Sequence, residues 1–151
     1  MKVRIEFMDN SIEDEVIIRC SCLSEEVQAI QRAVSEIATG KQKFVFYRGD
    51  TEYYLPLDEV LFFETDDREI NAYTRDNVYK TKYKLYELEE LLPRYFMRVS
   101  KSTIINTKQI YSMTKSLSSC MVEFTNTHKQ VYVSRNYYKP LKERLEEKRV
   151  R

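Results

Sequence analysis

The sequence has no tryptophan, two glycines, three prolines, one histidine and three cysteines in 151 residues. Each scarcity removes a class of protein. Gly40 and Gly49 alone cannot build a glycine-rich phosphate loop. His128 leaves histidine-based catalytic triads and histidine-rich metal sites without parts. The odd cysteine count (Cys20, Cys22, Cys120) argues for reduced thiols rather than a disulfide framework. Those cysteines with His128 would make a Cys3His zinc set, but Cys-x-Cys is not the usual structural zinc spacing. On a strand, Cys20 and Cys22 share one face and pack as small apolar residues. No apolar run reaches the ~18–20 residues of a membrane span. Met1-Lys2-Val3-Arg4-Ile5-Glu6 has no apolar core region, so a secretory signal is not expected and the cytoplasm is the expected compartment. No enzymatic activity, cofactor or metal is expected. Glu64, Asp66, Asp67 and Glu69 read more readily as solvated turn residues than as a divalent-metal site.

What is present points to a globular chain. Apolar residues make 42% and charged residues 32%, enough of both for a packed core and a solvated surface. The length fits one domain, or one with a small extra piece. The net charge of +1 hides an asymmetry. Residues 1–40 carry −4 and residues 41–93 carry −4, whereas residues 94–151 hold 13 Lys+Arg against 4 Asp+Glu, or +9. A third of that sign is an electrostatic footprint for phosphate backbones. The plainer alternative is a solvated face ending in a basic tail of Lys148, Arg149 and Arg151. Twelve tyrosines fit half-buried strands, although exposed ones could stack on bases.

Periodicity divides the chain in two. Residues 3–7 and 15–20 alternate as strands around a polar turn at Asp9-Asn10-Ser11, and residues 24–38 form an amphipathic helix. Ser24 caps that helix, Val27, Ile30, Val34 and Ile37 make its apolar stripe, and Gly40 follows its end. Residues 1–40 are thus a strand–strand–helix unit, too small to bury much apolar surface alone. It is expected to pack on the rest of the chain or on a second copy. Residues 41–151 change to short strands: 43–48, 52–56, 60–65, 69–74, 77–80, 96–99, 103–106, 109–113, 119–125 and 130–133. A helix over 84–92 ends at Pro93. After Ser134, Pro140 argues for a short turn near Arg135 and then a helix of about two turns.

Three blocks carry a more specific message. Leu57-Asp58-Glu59-Val60-Leu61-Phe62-Phe63-Glu64 is the first. The second runs from Leu88 to Asn106 and includes Leu91-Leu92-Pro93, Arg98-Val99-Ser100-Lys101-Ser102 and Ile104-Ile105-Asn106. The third is Val133-Ser134-Arg135-Asn136-Tyr137-Tyr138-Lys139-Pro140-Leu141-Lys142. In this order and at these spacings they resemble the LytTR family of bacterial DNA-binding domains, over roughly residues 43–146. The resemblance implies a mostly β fold with short helices, and DNA recognition by loops entering successive major grooves. Carried over by position, the DNA contacts are Arg68 or its neighbours in the 65–70 loop, Lys101 and Arg135, with Ser100, Asn136 and Lys139 beside them. Ser100 stands where the family often has histidine.

The chemistry agrees, since arginine bonds bidentately to guanine O6 and N7, and lysine can do the same or bind phosphate. Lys108 and Lys129 are expected as phosphate contacts, Asn106 to close a turn, Arg98 to pair with a carboxylate, and Ser134 to cap the segment presenting Arg135. Forty residues are too few for the receiver domain that usually precedes such a domain. The chain therefore resembles a stand-alone transcriptional regulator binding double-stranded DNA as a homodimer, and some such members have a small membrane protein as partner. Two readings of another kind remain open here. One is a protein-interaction module whose acidic N-terminal unit recruits a partner without specific DNA binding. The other is an RNA binder that stacks bases on tyrosines.

Overall fold

The computed structural model describes residues 1–8, 14–39 and 43–147. Helix α1 (Glu25–Ala38) forms as its sequence predicts, with the Ser24 hydroxyl accepting from the Val27 N–H at 3.2 Å. Of its apolar stripe only Val27 is buried. Residues 3–7 and 15–20 form no strand with any described residue, because a strand needs a partner edge and none is supplied. The Asp9-Asn10-Ser11 turn, Gly40 and the tail residues Lys148, Arg149 and Arg151 lie outside the described residues.

The remainder is mostly β. Strands β1 (Lys43–Arg48), β2 (Thr51–Pro56), β3 (Phe62–Asp66), β4 (Glu69–Tyr73), β5 (Val78–Thr81), β6 (Phe96–Ser100) and β7 (Thr103–Asn106) make one sheet in the order β2-β1-β5-β4-β3-β7-β6. Strands β8 (Ile110–Lys115), β9 (Cys120–Phe124) and β10 (Gln130–Val133) make a second, in the order β10-β9-β8. All pairings are antiparallel. Helix α2 (Leu85–Leu91) precedes Pro93, and α3 (Arg135–Glu147) follows β10.

The seven-stranded sheet is the middle layer. On one face Phe46, Phe63 and Ile104 pack with Leu85 and Leu88 of α2. On the other Phe62 and Ile105 pack with Val122, Phe124 and Val131 of the second sheet and with Leu141 of α3. Adjacent residues of a strand point to opposite faces, so Phe62-Phe63 and Ile104-Ile105 each serve both cores. Phe62 stacks on Phe124 across the layers, with ring centroids 5.4 Å apart.

Pro140 sits inside a continuous α3 of 13 residues, rather than after a turn as its chemistry predicts. It forfeits the bond to the Asn136 carbonyl, a group near the exposed start of the helix that water can reach. Leu141 is wholly buried one residue later, and that burial holds the helix through the proline.

Candidate nucleic-acid interface

Antiparallel register decides which turns share an end of the sheet. Asp66 pairs with Glu69, so β3 and β4 are joined by the two-residue turn Asp67-Arg68. Glu64 pairs with Thr103, which brings the β6–β7 turn, Lys101-Ser102, beside it. The two turns are tied by the Thr65 N–H donating to the Ser102 carbonyl at 2.9 Å.

The third block arrives through a β-bulge. The β6–β7 register shifts between Arg98 and Ser100. A bulged residue leaves the ladder, freeing its carbonyl. The Val99 carbonyl accepts from the Ser134 N–H at 2.9 Å and from the Ser134 hydroxyl at 3.2 Å. Ser134 therefore tethers α3 to β6 with its side chain instead of capping the helix. The start of α3, with Arg135 and Asn136, is thereby fixed next to Ser100 and Lys101. Lys139 lies one turn further on, on the face of Arg135.

Arg68, Lys101, Arg135, Asn136 and Lys139 are all exposed. Among the described residues, none of those four cations has a carboxylate within salt-bridge distance. Ser100 is half-buried, and its hydroxyl bonds the Ser102 N–H at 3.2 Å, so it braces the turn that presents Lys101. Arg98 braces the same turn more strongly. Its guanidinium donates to the Ser100 carbonyl at 3.1 Å, to the Lys101 carbonyl, and to the Glu89 carboxylate of α2 at 2.7 Å.

Asp67 and Arg68 have φ of 47° and 70°. Two left-handed residues are the signature of a type I′ turn, whose second position favours glycine. An arginine there carries backbone strain, a feature that collects at functional sites.

Two cations assigned to phosphate are elsewhere. Lys129 Nζ donates to the carbonyls of Thr74 and Arg75, at the opposite end of the sheet. Lys108 lies 4.0 Å over the Tyr95 ring, also at that end. The Tyr95 phenol bonds Asp58 at 3.2 Å, and burial, with that charge, pushes its pKa up. Asn106 is fully buried and closes its turn, accepting from the Lys108 N–H and donating to the Val60 carbonyl, both at 3.0 Å.

Sequence reasoning passed over two cations at the near end. Lys142 continues the Arg135–Lys139 face by one turn, a helical spacing legible once α3 is known to be continuous. Lys115 closes β8 at the same end and lies 4.8 Å over the Tyr138 ring of α3; no local signal announces that neighbour. A groove of about 800 Å³ opens at this end too, lined by Arg68, Lys80, Lys82, Lys84 and Arg98 and by the carboxylates Asp50, Glu52 and Glu69, the last ion-paired with Lys80. Among the described residues, no three or more His, Cys, Asp or Glu side chains are grouped to hold a metal ion, and no helix is long and apolar enough to cross a membrane.

Comparison with known proteins gives the family and the fold. The family model for the LytTr DNA-binding domain matches residues 50–146. A Staphylococcus aureus (strain bovine RF122 / ET3-1) protein, called an uncharacterized HTH-type transcriptional regulator, is 30% identical over 145 residues, covering 96% of this chain and 98% of its own. A counterpart with the same description in strain NCTC 8325 / PS 47 is 29% identical over the same span. Among solved structures, a LytTr DNA-binding domain from Bacillus cereus superposes with a TM-score of 0.64 at 26% identity, covering 70% of this chain and 98% of that one. In this chain α2 and α3 are separated by five strands, so they do not form a helix-turn-helix.

Proposed function

The chain belongs to the LytTr DNA-binding domain family, and from that premise we propose that it is a DNA-binding transcriptional regulator that reads specific double-stranded sites through one end of its seven-stranded sheet. The observation that carries this reading is convergence. Arg68, Lys101 and Arg135 come from three segments of the chain spread over 68 positions, and two backbone ties bring them to one end. All three are exposed, and among the described residues none is ion-paired with a carboxylate, so their charge is available to a partner.

In this reading Arg135 and Lys101 enter the major groove. Arg135 bonds guanine O6 and N7, and Lys101 takes a base edge or phosphate. Arg68 reaches the next groove from its strained turn. Asn136, Lys139 and Ser100 support them, Ser100 through the turn and the other two at the backbone. Binding proceeds without catalysis or cofactor, in the cytoplasm, by a homodimer on paired sites.

The test is selection of bound duplexes from a random pool at moderate salt. The expected result is a short motif repeated about one helical turn apart. A folded protein that enriches no motif would overturn the reading.

A further inference from the structure

The most anomalous surface is the first stretch of chain. Residues 3–7, Val-Arg-Ile-Glu-Phe, alternate strictly, yet Val3 is 90% exposed and Phe7 96% exposed. Among the described residues, no backbone group of this stretch has a partner. A bare apolar strand edge is a template for pairing with another chain.

Its side chains identify which chain. We infer that residues 3–7 pair antiparallel with the same residues of a second copy, about a two-fold axis through Ile5. In that register Val3 lies opposite Phe7 of the partner subunit, and Ile5 opposite Ile5 of the partner subunit. Arg4 lies opposite Glu6 of the partner subunit, and the symmetry makes this ion pair twice. One face of the pair is wholly apolar and the other carries only complementary charge. The register is unique to this centre. Moving the axis one residue, to Arg4 or to Glu6, sets like charges directly opposite each other, which is destabilising. Registers centred between residues set apolar against charged side chains.

In the single chain Arg4 and Glu6 pair with each other at 2.8 Å, an exposed ion pair that the two cross-strand pairs replace. A two-stranded ribbon is marginal alone. Val16 and Ile17 of the second alternating stretch and Ile37 of α1, all exposed in the single chain, supply further apolar surface for the same contact. This inference rests on the dimeric half of the proposed function and is independent of its DNA-binding half.

Sedimentation equilibrium of the full chain without DNA tests it. Wild type is expected to dimerise at micromolar concentration. Arg4→Glu and Glu6→Arg are each expected to weaken the dimer by about tenfold or more, because each places like charges opposite twice. Glu6→Arg is the sharper of the two, since it lowers the negative charge of residues 1–40 and would tighten a dimer limited only by net repulsion. Mixing the two variants is expected to restore dimers as heterodimers. One chain then has acidic side chains at both positions 4 and 6 and the other has basic ones at both, a match that an ion pair within one chain cannot produce. Recovery by mixing also establishes that both variants are folded. A monomeric wild type would overturn the dimer and this inference together. A dimeric wild type whose variants associate unchanged, or whose mixture fails to recover, would overturn the strand pairing alone.

Discussion

At one end of the seven-stranded sheet Lys129 reaches the carbonyls of Thr74 and Arg75, and Lys108 covers the Tyr95 ring. At the other end Arg68, Lys101, Arg135 and Lys139 are exposed and, among the described residues, ion-paired with no carboxylate. Both ends carry cations, Lys101 and Lys108 from one stretch of chain and Lys129 and Arg135 from another. The difference is whether protein oxygen or a ring already occupies the charge. A lysine held by two carbonyls must surrender them to meet phosphate, whereas an uncompensated arginine releases only water and counterions. Positive charge in a sequence therefore identifies a nucleic-acid surface only after the cations engaged by the protein itself are removed from the count.

Substitutions at the two ends should separate these uses. Arg135→Ala should cost ~1–3 kcal/mol on the selected site and relax base preference at one position, read by titrating single-base variants of the duplex. Unchanged affinity and preference with the fold intact would remove Arg135 from the base-reading set. Arg98→Ala and Lys101→Ala should each weaken binding by about 1–2 kcal/mol, and the double variant should lose less than the sum, because Arg98 acts through the turn that carries Lys101. Full additivity would give Arg98 a role of its own.

At the far end Lys129→Met should cost about 1–2 kcal/mol of stability in denaturant unfolding, since two carbonyls lose their donor. The salt dependence of DNA binding should stay as it was, and a flatter slope would put Lys129 on phosphate after all. The smallest effect, and the one with opposite signs, belongs to Arg68→Gly. Relief of a left-handed residue should stabilise the hairpin by about 0.5–1 kcal/mol while DNA affinity falls. A stabilised protein with undiminished affinity would mean that the arginine is there for neither purpose.

Much of the fold was legible because local patterns were consistent. Ser24 ahead of an amphipathic stripe announced α1, Pro93 announced the end of α2, and the short strands expected at 69–74 and 130–133 are β4 and β10. Two expectations failed for opposite physical reasons. Pro140 predicted a break, but burial of Leu141 outweighs one lost hydrogen bond. Residues 3–7 predicted a strand from a pattern that is real, but strand formation depends on a partner edge that the single chain does not bring to it. For the interface, resemblance in the three blocks singled out Arg68, Lys101 and Arg135. It could not separate them from Lys108 and Lys129, whose partners lie 13 and more than 50 positions away in sequence.

The sequence by itself determined most of the elements, their order, the apolar pairs Phe62-Phe63 and Ile104-Ile105 that demand cover on both faces, and the family. The elements and apolar pairs follow from short-range periodicity and side-chain chemistry, which need no knowledge of distant neighbours, and the family from the resemblance of the three blocks. Only the tertiary structure decided which end of the sheet leaves its cations unengaged. That choice depends on a bulge at Val99 that releases one carbonyl to Ser134, on Thr65 reaching Ser102, and on carbonyls and rings that occupy the cations at the other end. Each is a contact between residues far apart in the chain, and register, which no single segment contains, sets them all.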